Sequence, residues 1–390
     1  MFSPFRGLLF EPTRVPAPGD ATCPPYDMID SSAHRHYLGR SPYNVVRLLL
    51  PQPDDAAYHE AAETLESWRA TGVLSQDEEA RFYLYRMGYR DPAGRPRQAQ
   101  GIVGALGLEP LGNRVVPHEE TMEDVKADRM AVLRATQANL DPIVALTPAE
   151  GLTTLMEPEG PPRLAFRCDE VHHRLYDLGR QGVMRTIEEV LAAHPVAIAD
   201  GHHRYATALR YRRERRAEGA GPWDAILAFV APARGGGLSV GPFHRLLPAA
   251  QPKRQGLEQA FHVEPGAPRP PERPGELVLL WREAHGIEAL HLRPRAQAVA
   301  AFPPPWRRAS SAIARELLYP LLGLQESAAQ YQPEAPQIVA RLDERHLGVL
   351  TAPIPAEAIV EAIDSGVRFP QKSTFFYPKP RAGVVMRVLE

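Results

Sequence analysis

The sequence predicts an α+β fold in which hairpins and strand–helix units are mixed along the chain. Some short apolar runs of strand type are followed by a second strand and others by a helix, so strands and helices do not alternate regularly. In addition, 41 prolines, about twice the average usage, divide the chain into short elements. We therefore expect a mixed α/β architecture and not a doubly wound sheet.

The elements of the first half follow from hydrophobic periodicity. Tyr58, Ala61, Leu65 and Trp68 share one face of a helical pattern, and Gly72 follows as a stop signal. The aromatic run RFYLYRMGY has strand composition, and the turn DPAGRP allows the chain to return. The predicted elements are a helix over 55–71, strands over 81–89 and 100–111, a helix over 121–140 and a buried strand over 143–146.

The second half continues with elements of similar length. The proline-rich stretch EPGAPRPPERPGE is the best linker candidate, which predicts a core over 1–265 and a C-terminal α/β part over 276–390. We expect the closing motif of the second part to return to the core. The predicted elements are strands over 162–167, 172–178, 196–200, 224–232, 237–247 and 276–282, and helices over 184–194, 205–218 and 310–323.

Composition and charge restrict the function classes. The formal net charge of −2 gives no broad basic surface, so the basic run RYRRERR (210–216) is interpreted as a solvated helix face and nucleic acid is not an expected partner. No apolar run approaches the length that crosses a membrane. With only two cysteines, a disulfide framework is not expected, and a cytoplasmic location is predicted.

The stretch VAIADGHHRYATAL (196–209) carries the strongest functional signal. An apolar strand ends at Asp200 and Gly201, and a helical pattern begins directly afterwards. Glycine permits a sharp turn and the close approach of a ligand, and the N–H groups at a helix start attract anions. Arg204 adds a bidentate donor for phosphate or carboxylate, while His202 and His203 can donate hydrogen bonds or exchange protons near neutral pH.

Two interpretations of this turn remain open. Asp200 either holds a divalent cation through its oxygens or caps the helix. The turn is accordingly a phosphate-binding cradle with acid–base groups, or an ordinary helix start. The order His-His-Arg occurs again at 172–174, without a preceding Asp-Gly, and we expect that copy on the surface of a strand.

The stretch HEET (118–121) is a second candidate. Glu119 and Glu120 have the chemistry of a general base or of Mg²⁺ ligands, and Lys126 can reach a phosphate as a point charge. Lys126 is also one of only four lysines in the chain. The alternative is a charged, well-capped helix start.

The closing stretch FPQKSTFFYPK holds two more of the four lysines. Its Lys372, Ser373 and Thr374 offer donors to a phosphate or a small polar substrate, but no glycine loop precedes them as in a Walker motif. The alternative is a C-terminal strand packed through its aromatic side chains.

Two shorter motifs complete the candidate site residues. In PPYDMI and SPYNVVRL, the side chains of Tyr26, Asp27 and Asn44 are candidates for the edge of a substrate site, although a structural turn explains them equally well. In PFHR, His244 and Arg245 follow a glycine-rich stretch and suggest a second anion-binding corner.

Together these motifs resemble the uncharacterised bacterial and archaeal family called domain of unknown function 1015. The resemblance runs from about residue 2 to residue 385, and Phe243 stands where the family usually has threonine. The family has no settled activity. The similar blocks are FSPFRGLLFEP, CPPYDMID, SPYNVVRLLLP, HEETMEDVKADRMAVLRATQANLDPIVAL, ADGHHRYATAL, PFHRLL and FPQKSTFFYPKPRAGVV.

The Asp-Gly-His-His-Arg-Tyr turn also resembles, more distantly, the phosphate-binding turn of the ParB and sulfiredoxin superfamily, which includes free serine kinases. This resemblance implies a nucleotide-binding core elaborated with extra strands and helices, with Gly201, Arg204 and Tyr205 at the nucleotide phosphates. Sulfiredoxins carry a catalytic cysteine after the glycine, whereas this chain has His202, which argues against sulfinic-acid reduction.

Two function hypotheses follow. The first is a nucleotide-dependent phosphotransferase that acts on a small polar metabolite, with Mg²⁺ at Asp200 or Glu120 and with Asp200, His202, His203 and Glu119 in catalytic roles. The superfamily resemblance alone suggests an amino-acid hydroxyl such as that of serine as the acceptor. The second is a nucleotide-binding switch, for CTP or ATP, without metabolic turnover. A homodimer is compatible with both.

Overall fold

The computed structural model describes residues 1–91, 94–120, 127–248 and 254–390. The chain forms two compact units. Unit 1 contains Met1–Pro117, Met122–Ser239 and Pro378–Glu390, and unit 2 contains His118–Thr121 and Val240–Tyr377.

The strands are short, as the frequent prolines predict. Numbered in chain order, they are β1 (Phe2–Ser3), β2 (Leu8–Phe10), β3 (Leu74–Gln76), β4 (Phe82–Arg90), β5 (Pro96–Gly107), β6 (Val115–Pro117), β7 (Ala138–Asn139), β8 (Ile143–Thr147), β9 (Leu164–Cys168), β10 (Val171–Leu178), β11 (Val196–Asp200), β12 (Ala225–Pro232), β13 (Ser239–Gly241), β14 (His244–Pro248), β15 (Phe261–Pro265), β16 (Leu277–Glu283), β17 (Gly286–Pro294), β18 (Gln330–Gln332), β19 (His346–Thr351), β20 (Phe375–Tyr377) and β21 (Arg387–Val388).

The helices lie between and after these strands. They are α1 (Pro18–Ala21), α2 (Ser31–Arg40), α3 (Val46–Leu49), α4 (Asp55–Ala70), α5 (Ala127–Thr136), α6 (Gln181–Ala193), α7 (His202–Glu214), α8 (Arg254–Leu257), α9 (Ser310–Ile313), α10 (Tyr319–Leu322), α11 (Ala335–Arg341) and α12 (Ala356–Ser365). A π-helical turn, Ala314–Leu318, joins α9 to α10.

Unit 1 is built around a mixed sheet with the strand order β6-β11-β8-β12-β5-β4-β10-β9, and β1 also pairs with β5. Strand β11 runs parallel to β6 and antiparallel to β8, while β12 runs parallel to β8 and antiparallel to β5. Helix α7 packs on β8, β12 and α5. The mixture of parallel and antiparallel pairs confirms the predicted α+β class.

Unit 2 contains an antiparallel sheet with the order β15-β17-β16-β19-β14-β18. Both faces of this sheet are buried. Leu277 and Leu279 of β16 belong to one apolar cluster and Val278 and Leu280 to another, as expected because successive side chains of a strand point to opposite faces.

The division of the chain differs from the predicted linker at 264–276. Strand β14, which precedes that stretch, pairs with β19, which follows it, so both belong to unit 2. The last segment, 378–390, belongs to unit 1, where β21 pairs with β7. Pairing over such sequence distances leaves no local signal in composition.

Most predicted elements are present, with shifted ends. The helix predicted over 121–140 is described from Ala127 to Thr136, and Lys126 lies outside the described residues. The second His-His-Arg copy lies on β10, but only part of it is at the surface. His173 is buried, its Nδ1 is 2.7 Å from the Tyr85 hydroxyl oxygen, and its ring stacks on Phe166. Burial lowers the pKa of His173 to about 3.

Candidate functional site

The turn between β11 and α7 in unit 1 requires glycine. Gly201 has φ +92°, which places it in the left-handed region. A Cβ atom at this position would lie 2.8 Å from Cγ2 of Ile143 and 3.0 Å from two nitrogens of Arg204. Any other residue would therefore meet both backbone strain and a steric clash. Helix α7 begins at His202, and its N-cap position is Gly201, which has no side chain that could cap the first turn.

Arg204 lies over this turn and binds two carboxylates. Its Nη1 donates to Asp141 Oδ2 at 2.5 Å and to the Pro142 carbonyl at 2.6 Å, and its Nη2 donates to Asp200 Oδ2 at 2.9 Å. The Arg204 and Asp141 side chains are only 9% and 7% exposed. The guanidinium thus fixes the end of β11 to the start of β8.

Lys379 is the second cation at the turn. Its Nζ donates to Asp200 Oδ1 at 2.5 Å, and its side chain is 10% exposed. Burial would raise the pKa of Asp200, but the charges of Lys379 and Arg204 outweigh it and lower the pKa. For Asp141 burial prevails over Arg204, and the pKa is raised. Asp200 is accordingly a stable carboxylate, whereas Asp141 takes up a proton more readily.

Neither Asp141 nor Lys379 was among the predicted site residues. Asp141 is 63 positions before Arg204, and Lys379 is 179 positions after Asp200. A signal for Lys379 existed, since it is one of the four lysines in a chain whose other basic residues are arginine. For Asp141 the sequence shows only an Asp-Pro pair directly after the helix predicted over 121–140.

A small cavity lies beside the turn in unit 1. Its volume is about 60 Å³, and Asp141, Arg204, Tyr26 and Arg129 are among its lining residues. The Arg129 guanidinium lies 4.7 Å from the centre of the Tyr26 ring. Burial raises the pKa of Tyr26 to about 12, so its hydroxyl remains protonated. The cavity has space for a few water molecules and not for a nucleotide.

The other predicted residues of unit 1 differ in their surroundings. His202 and His203 form the first turn of α7 and are half-buried, and Asp27 is exposed beside Tyr26. Asn44 is buried, donates to the carbonyls of Asp20 and Thr22, and accepts from the Val46 N–H.

Tyr205, the next residue of α7, is also buried. Its hydroxyl lies 2.9 Å from the Glu109 carbonyl oxygen, to which it donates. These contacts of Asn44 and Tyr205 are ones that stabilise the local fold.

Unit 2 brings together another group of the predicted residues, around Glu119. The Glu119 carboxylate accepts from the backbone N–H groups of Lys372, Ser373 and Thr374 at 3.0, 3.1 and 2.8 Å. It also accepts from the Thr374 hydroxyl at 2.7 Å, and His118 Nε2 lies 2.7 Å from the same hydroxyl.

Lys372 has φ +53°, a left-handed conformation in which successive N–H groups converge on an anion. The Lys-Ser-Thr loop therefore forms an anion-binding nest that holds the carboxylate of Glu119. The Lys372 side chain itself is exposed, with its Nζ 5.2 Å from the centre of the Phe243 ring.

His244 and Arg245 lie on β14 of unit 2 and are both buried. His244 Nδ1 accepts from the Thr351 N–H at 3.1 Å, and burial lowers the pKa of His244 to about 4. Arg245 donates to the carbonyls of Phe243 and Lys372 at 2.5 and 3.2 Å. The imidazole is therefore neutral at physiological pH, whereas the guanidinium is a buried cation.

The described residues do not fit the predicted Mg²⁺ site. Both oxygens of Asp200 accept from cations, and Glu120 Oε2 accepts from Arg315 Nη1 at 2.5 Å within unit 2. Over the described residues, no group of three or more metal-ligating side chains is present. A Mg²⁺ ion would have to displace an existing ion pair at either carboxylate.

The family comparison agrees with the resemblance that the motifs show. The model of the family described as "Protein of unknown function (DUF1015)" matches residues 2–317. No curated protein is significantly similar to the chain.

Several solved structures are distantly similar. SbnI with a C-terminal truncation from Staphylococcus aureus has 12% identity and a TM-score of 0.36, over 70% of this chain and 82% of that chain. A conserved hypothetical protein from Pyrococcus furiosus has 12% identity and a TM-score of 0.34, over 68% of this chain and 90% of that chain. A free serine kinase in complex with AMP has 11% identity and a TM-score of 0.33, over 70% of this chain and 96% of that chain. Likeness this low carries no argument about what this chain binds.

The sequence predicts no membrane partner and is compatible with a homodimer. In the part of the chain that the structure describes, every helix is too short or too polar to cross a bilayer. The homodimer and the cytoplasmic location stay predictions of the sequence.

Proposed function

This chain belongs to the family of proteins of unknown function DUF1015, and from the chemistry of the turn at 200–204 we propose that it binds a nucleotide and acts as a phosphotransferase on a small polar metabolite. The observation that carries the proposal is the start of α7. A 13-residue helix begins directly after a left-handed glycine, which has no side chain that could act as the N-cap, and two cations lie beside this turn. Helix starts of this kind bind phosphate groups.

The contacts of Arg204 give it a positioning role in this proposal. Two of its nitrogens donate to Asp141 and Asp200, so they hold the turn in place and do not point to a ligand. Its Nε is buried, has no acceptor among the described residues, and lies next to Gly201. One donor of the guanidinium is therefore left for an anion at the turn.

Lys379 is the cation that we propose contacts the transferred phosphoryl group. A lysine side chain is a flexible point charge, so its ammonium can move from Asp200 to a phosphate oxygen without a change in the backbone. The carboxylate that it leaves still accepts from Arg204. Phosphoryl transfer depends mainly on such positioning and charge stabilisation.

In the proposed reaction the acceptor hydroxyl oxygen forms a bond to the γ-phosphorus of a nucleoside triphosphate. The bond from that phosphorus to the β–γ bridging oxygen breaks, and the nucleoside diphosphate leaves with the electron pair. We propose that His202 takes the hydroxyl proton, because it is the first residue of α7 and adjoins the phosphate position. Glu119 is less suited to this role, since four donors already bind its carboxylate.

The proposal is tested by thermal unfolding of the full chain with ATP, ADP, CTP and GTP. A nucleotide at about 100 times its Kd should add roughly 2.7 kcal/mol to the free energy of unfolding. Lys379→Met should reduce this gain, while Lys379→Arg, which keeps the positive charge, is the matched control. Arg204→Ala is a poor test because it leaves Asp141 buried without its cation.

The outcomes separate the hypotheses. If no nucleotide shifts the unfolding temperature, the proposal fails, and the turn is a structural helix start. If one nucleotide binds but no phosphate appears on serine or on other hydroxyl acceptors, the nucleotide-binding switch replaces the phosphotransferase.

A further inference from the structure

Unit 2 contains a cleft of about 350 Å³ over the strand pair β15–β17, at one edge of its sheet. Helix α11 covers the same face of the sheet over β14, β18 and β19, and the apolar cluster beneath it extends to Ala289 of β17. The face beyond is bordered by the loop 266–276. Pockets that bind small molecules begin at roughly 300 Å³, so this β15–β17 cleft has room for a small metabolite.

The floor of the β15–β17 cleft is polar. Because successive side chains of a strand point to opposite faces, His291 and Arg293 share one face of β17, and His262 and Glu264 share one face of β15. The register places His262 opposite Arg293 and Glu264 opposite His291. All four residues line the cleft, so charged and hydrogen-bonding side chains occupy positions that are apolar farther along the sheet.

The loop 266–276 forms a rigid wall of the cleft. Four of its eleven residues are prolines, which fix the backbone φ. The Gly266 N–H donates to the Ala289 carbonyl at 3.1 Å, and a Cβ atom at Gly266 would lie 2.5 Å from the His291 ring. His291 Nε2 donates to the Ala267 carbonyl at 2.9 Å. The start of the loop is therefore held against the floor by the chain itself.

Three arginines line the cleft, and their guanidinium groups are not bound tightly by carboxylates of the described residues. Arg269 lies 3.8 Å from Glu272 and Arg273 lies 3.9 Å from Glu276, both beyond hydrogen-bonding distance. The Arg293 side chain forms no ion pair within the described part of the chain. Exposed ion pairs are worth at most about 1 kcal/mol, so an external anion can recruit these donors at little cost.

The ligand that fits this arrangement is a small, multiply charged anion. A guanidinium donates two parallel hydrogen bonds to phosphate or carboxylate, so three of them match more than one negative charge. The two carboxylates of the cleft, Glu264 and Glu276, would repel an extended polyanion such as RNA, but they can accept from hydroxyl groups of a small ligand.

We propose that the β15–β17 cleft binds a small metabolite with a multiply charged oxyanion, a phosphate ester or a polycarboxylate, through Arg269, Arg273 and Arg293. All residues that line the cleft belong to unit 2. The proposal does not depend on nucleotide binding at the start of α7.

Hydrogen exchange of the full chain, followed by mass spectrometry, tests this proposal with four probes at equal ionic strength: pyrophosphate, citrate, acetate and chloride. At about ten times its Kd, a bound probe should slow exchange of the amides in 262–276 roughly tenfold, if they exchange only in the free form. An effect of pyrophosphate indicates a phosphate ester, and an effect of citrate indicates a polycarboxylate.

Two results with these probes would overturn the proposal. Equal slowing by acetate and chloride would show screening by salt instead of a site. No slowing with any probe would show that the charged side chains only protect the edge strand β15 from pairing with other chains.

Substitutions locate the bound anion. Arg293→Gln, at an exposed position, should fold normally and weaken binding of the effective probe by roughly ten- to hundredfold in Kd, because it deletes charge-assisted hydrogen bonds. The matched control is Arg345→Gln, which removes an exposed arginine of unit 2 that does not line the cleft and should leave binding unchanged.

A substitution in unit 1 separates this site from the turn at 200–204. Lys379→Met should leave the slowed exchange of 262–276 unchanged, because Lys379 belongs to unit 1. Slowing that is lost in Lys379→Met but kept in Arg293→Gln would place the anion at that turn, and the proposal would fail. An equal loss in Arg293→Gln and Arg345→Gln would also contradict it.

Discussion

Replacing Arg204 by methionine should destabilise unit 1 far more than an ordinary surface substitution. The Arg204 guanidinium is the common partner of Asp141 and Asp200. Methionine keeps much of the apolar stem but removes the charge and the donors. Asp200 would still be paired with Lys379, whereas Asp141, 7% exposed, would lose the guanidinium that now binds it.

The expected loss follows from this difference between the two carboxylates. Breaking a buried ion pair by removing one partner costs about 3–5 kcal/mol, because an uncompensated charge remains. Since only Asp141 is left without its direct partner, we expect the lower end, about 3 kcal/mol. That loss should accelerate hydrogen exchange of the β11 amides by roughly a hundredfold, if exchange there follows the opening of unit 1.

The loss should also depend on pH. Burial already raises the pKa of Asp141, and removing Arg204 should raise it further. A carboxyl whose folded pKa lies above its unfolded value binds its proton more tightly in the folded state, so stability increases as the pH falls through the folded pKa. The free energy of unfolding that Arg204→Met loses relative to the wild type should therefore be largest at neutral pH and smaller at mildly acidic pH.

Hydrogen exchange of the β11 amides, followed by mass spectrometry at neutral and at mildly acidic pH, measures this loss of stability directly. Arg204→Met/Asp141→Asn is the matched control, since the amide removes the buried charge and should recover part of the loss. A deficit below about 1 kcal/mol at neutral pH, the value of an exposed ion pair, would refute the reasoning. So would a deficit that grows as the pH falls.

Two further predictions concern unit 2. Glu119→Gln should lower the free energy of unfolding by about 1.5–3 kcal/mol, because the carboxylate accepts from three N–H groups and the Thr374 hydroxyl. An unchanged midpoint of unfolding in urea would contradict this structural role of Glu119. Burial lowers the folded pKa of His244 to about 4, below its ordinary value of 6.5. The free energy of unfolding should therefore decrease as the pH falls from 6.5 toward 4, by up to roughly 3 kcal/mol. His244→Asn, which keeps an acceptor for the Thr351 N–H, should flatten that dependence in acid titrations of unfolding, and an unchanged slope would contradict this assignment.

Local elements could be predicted from the sequence because their signals are local. The strand over 196–200 was predicted at its observed bounds, since an apolar run ends there in Asp200 and Gly201. The start of α7 was predicted three residues late, because His202, His203 and Arg204 add no apolar periodicity. The division into units depends on pairing between distant strands, such as β14 with β19, and no local pattern encodes it.

The candidate site shows the same limit. The sequence places Asp200 and Arg204 in one turn, and the structure shows the ion pair between them. The sequence does not indicate that Asp141 binds the other side of the guanidinium, because that contact depends on the position of β8 beside β11. The role of Lys126 remains a prediction, since this residue lies outside the described part of the chain.

Among the residues that the structure describes, two backbone arrangements have the geometry that binds anions, and their surroundings differ. The nest at 372–374 in unit 2 is directed at the Glu119 carboxylate, so its N–H groups already have an anion from the chain itself. At the start of α7 in unit 1 the N-cap position is Gly201, which has no side chain, and the Asp200 carboxylate directly before it is paired with Arg204 and Lys379. An external phosphate would compete with Glu119 at the first arrangement and would meet positive charge at the second. The turn at 200–204 is therefore the stronger candidate for nucleotide phosphates, although the Lys-Ser-Thr motif has the more familiar composition.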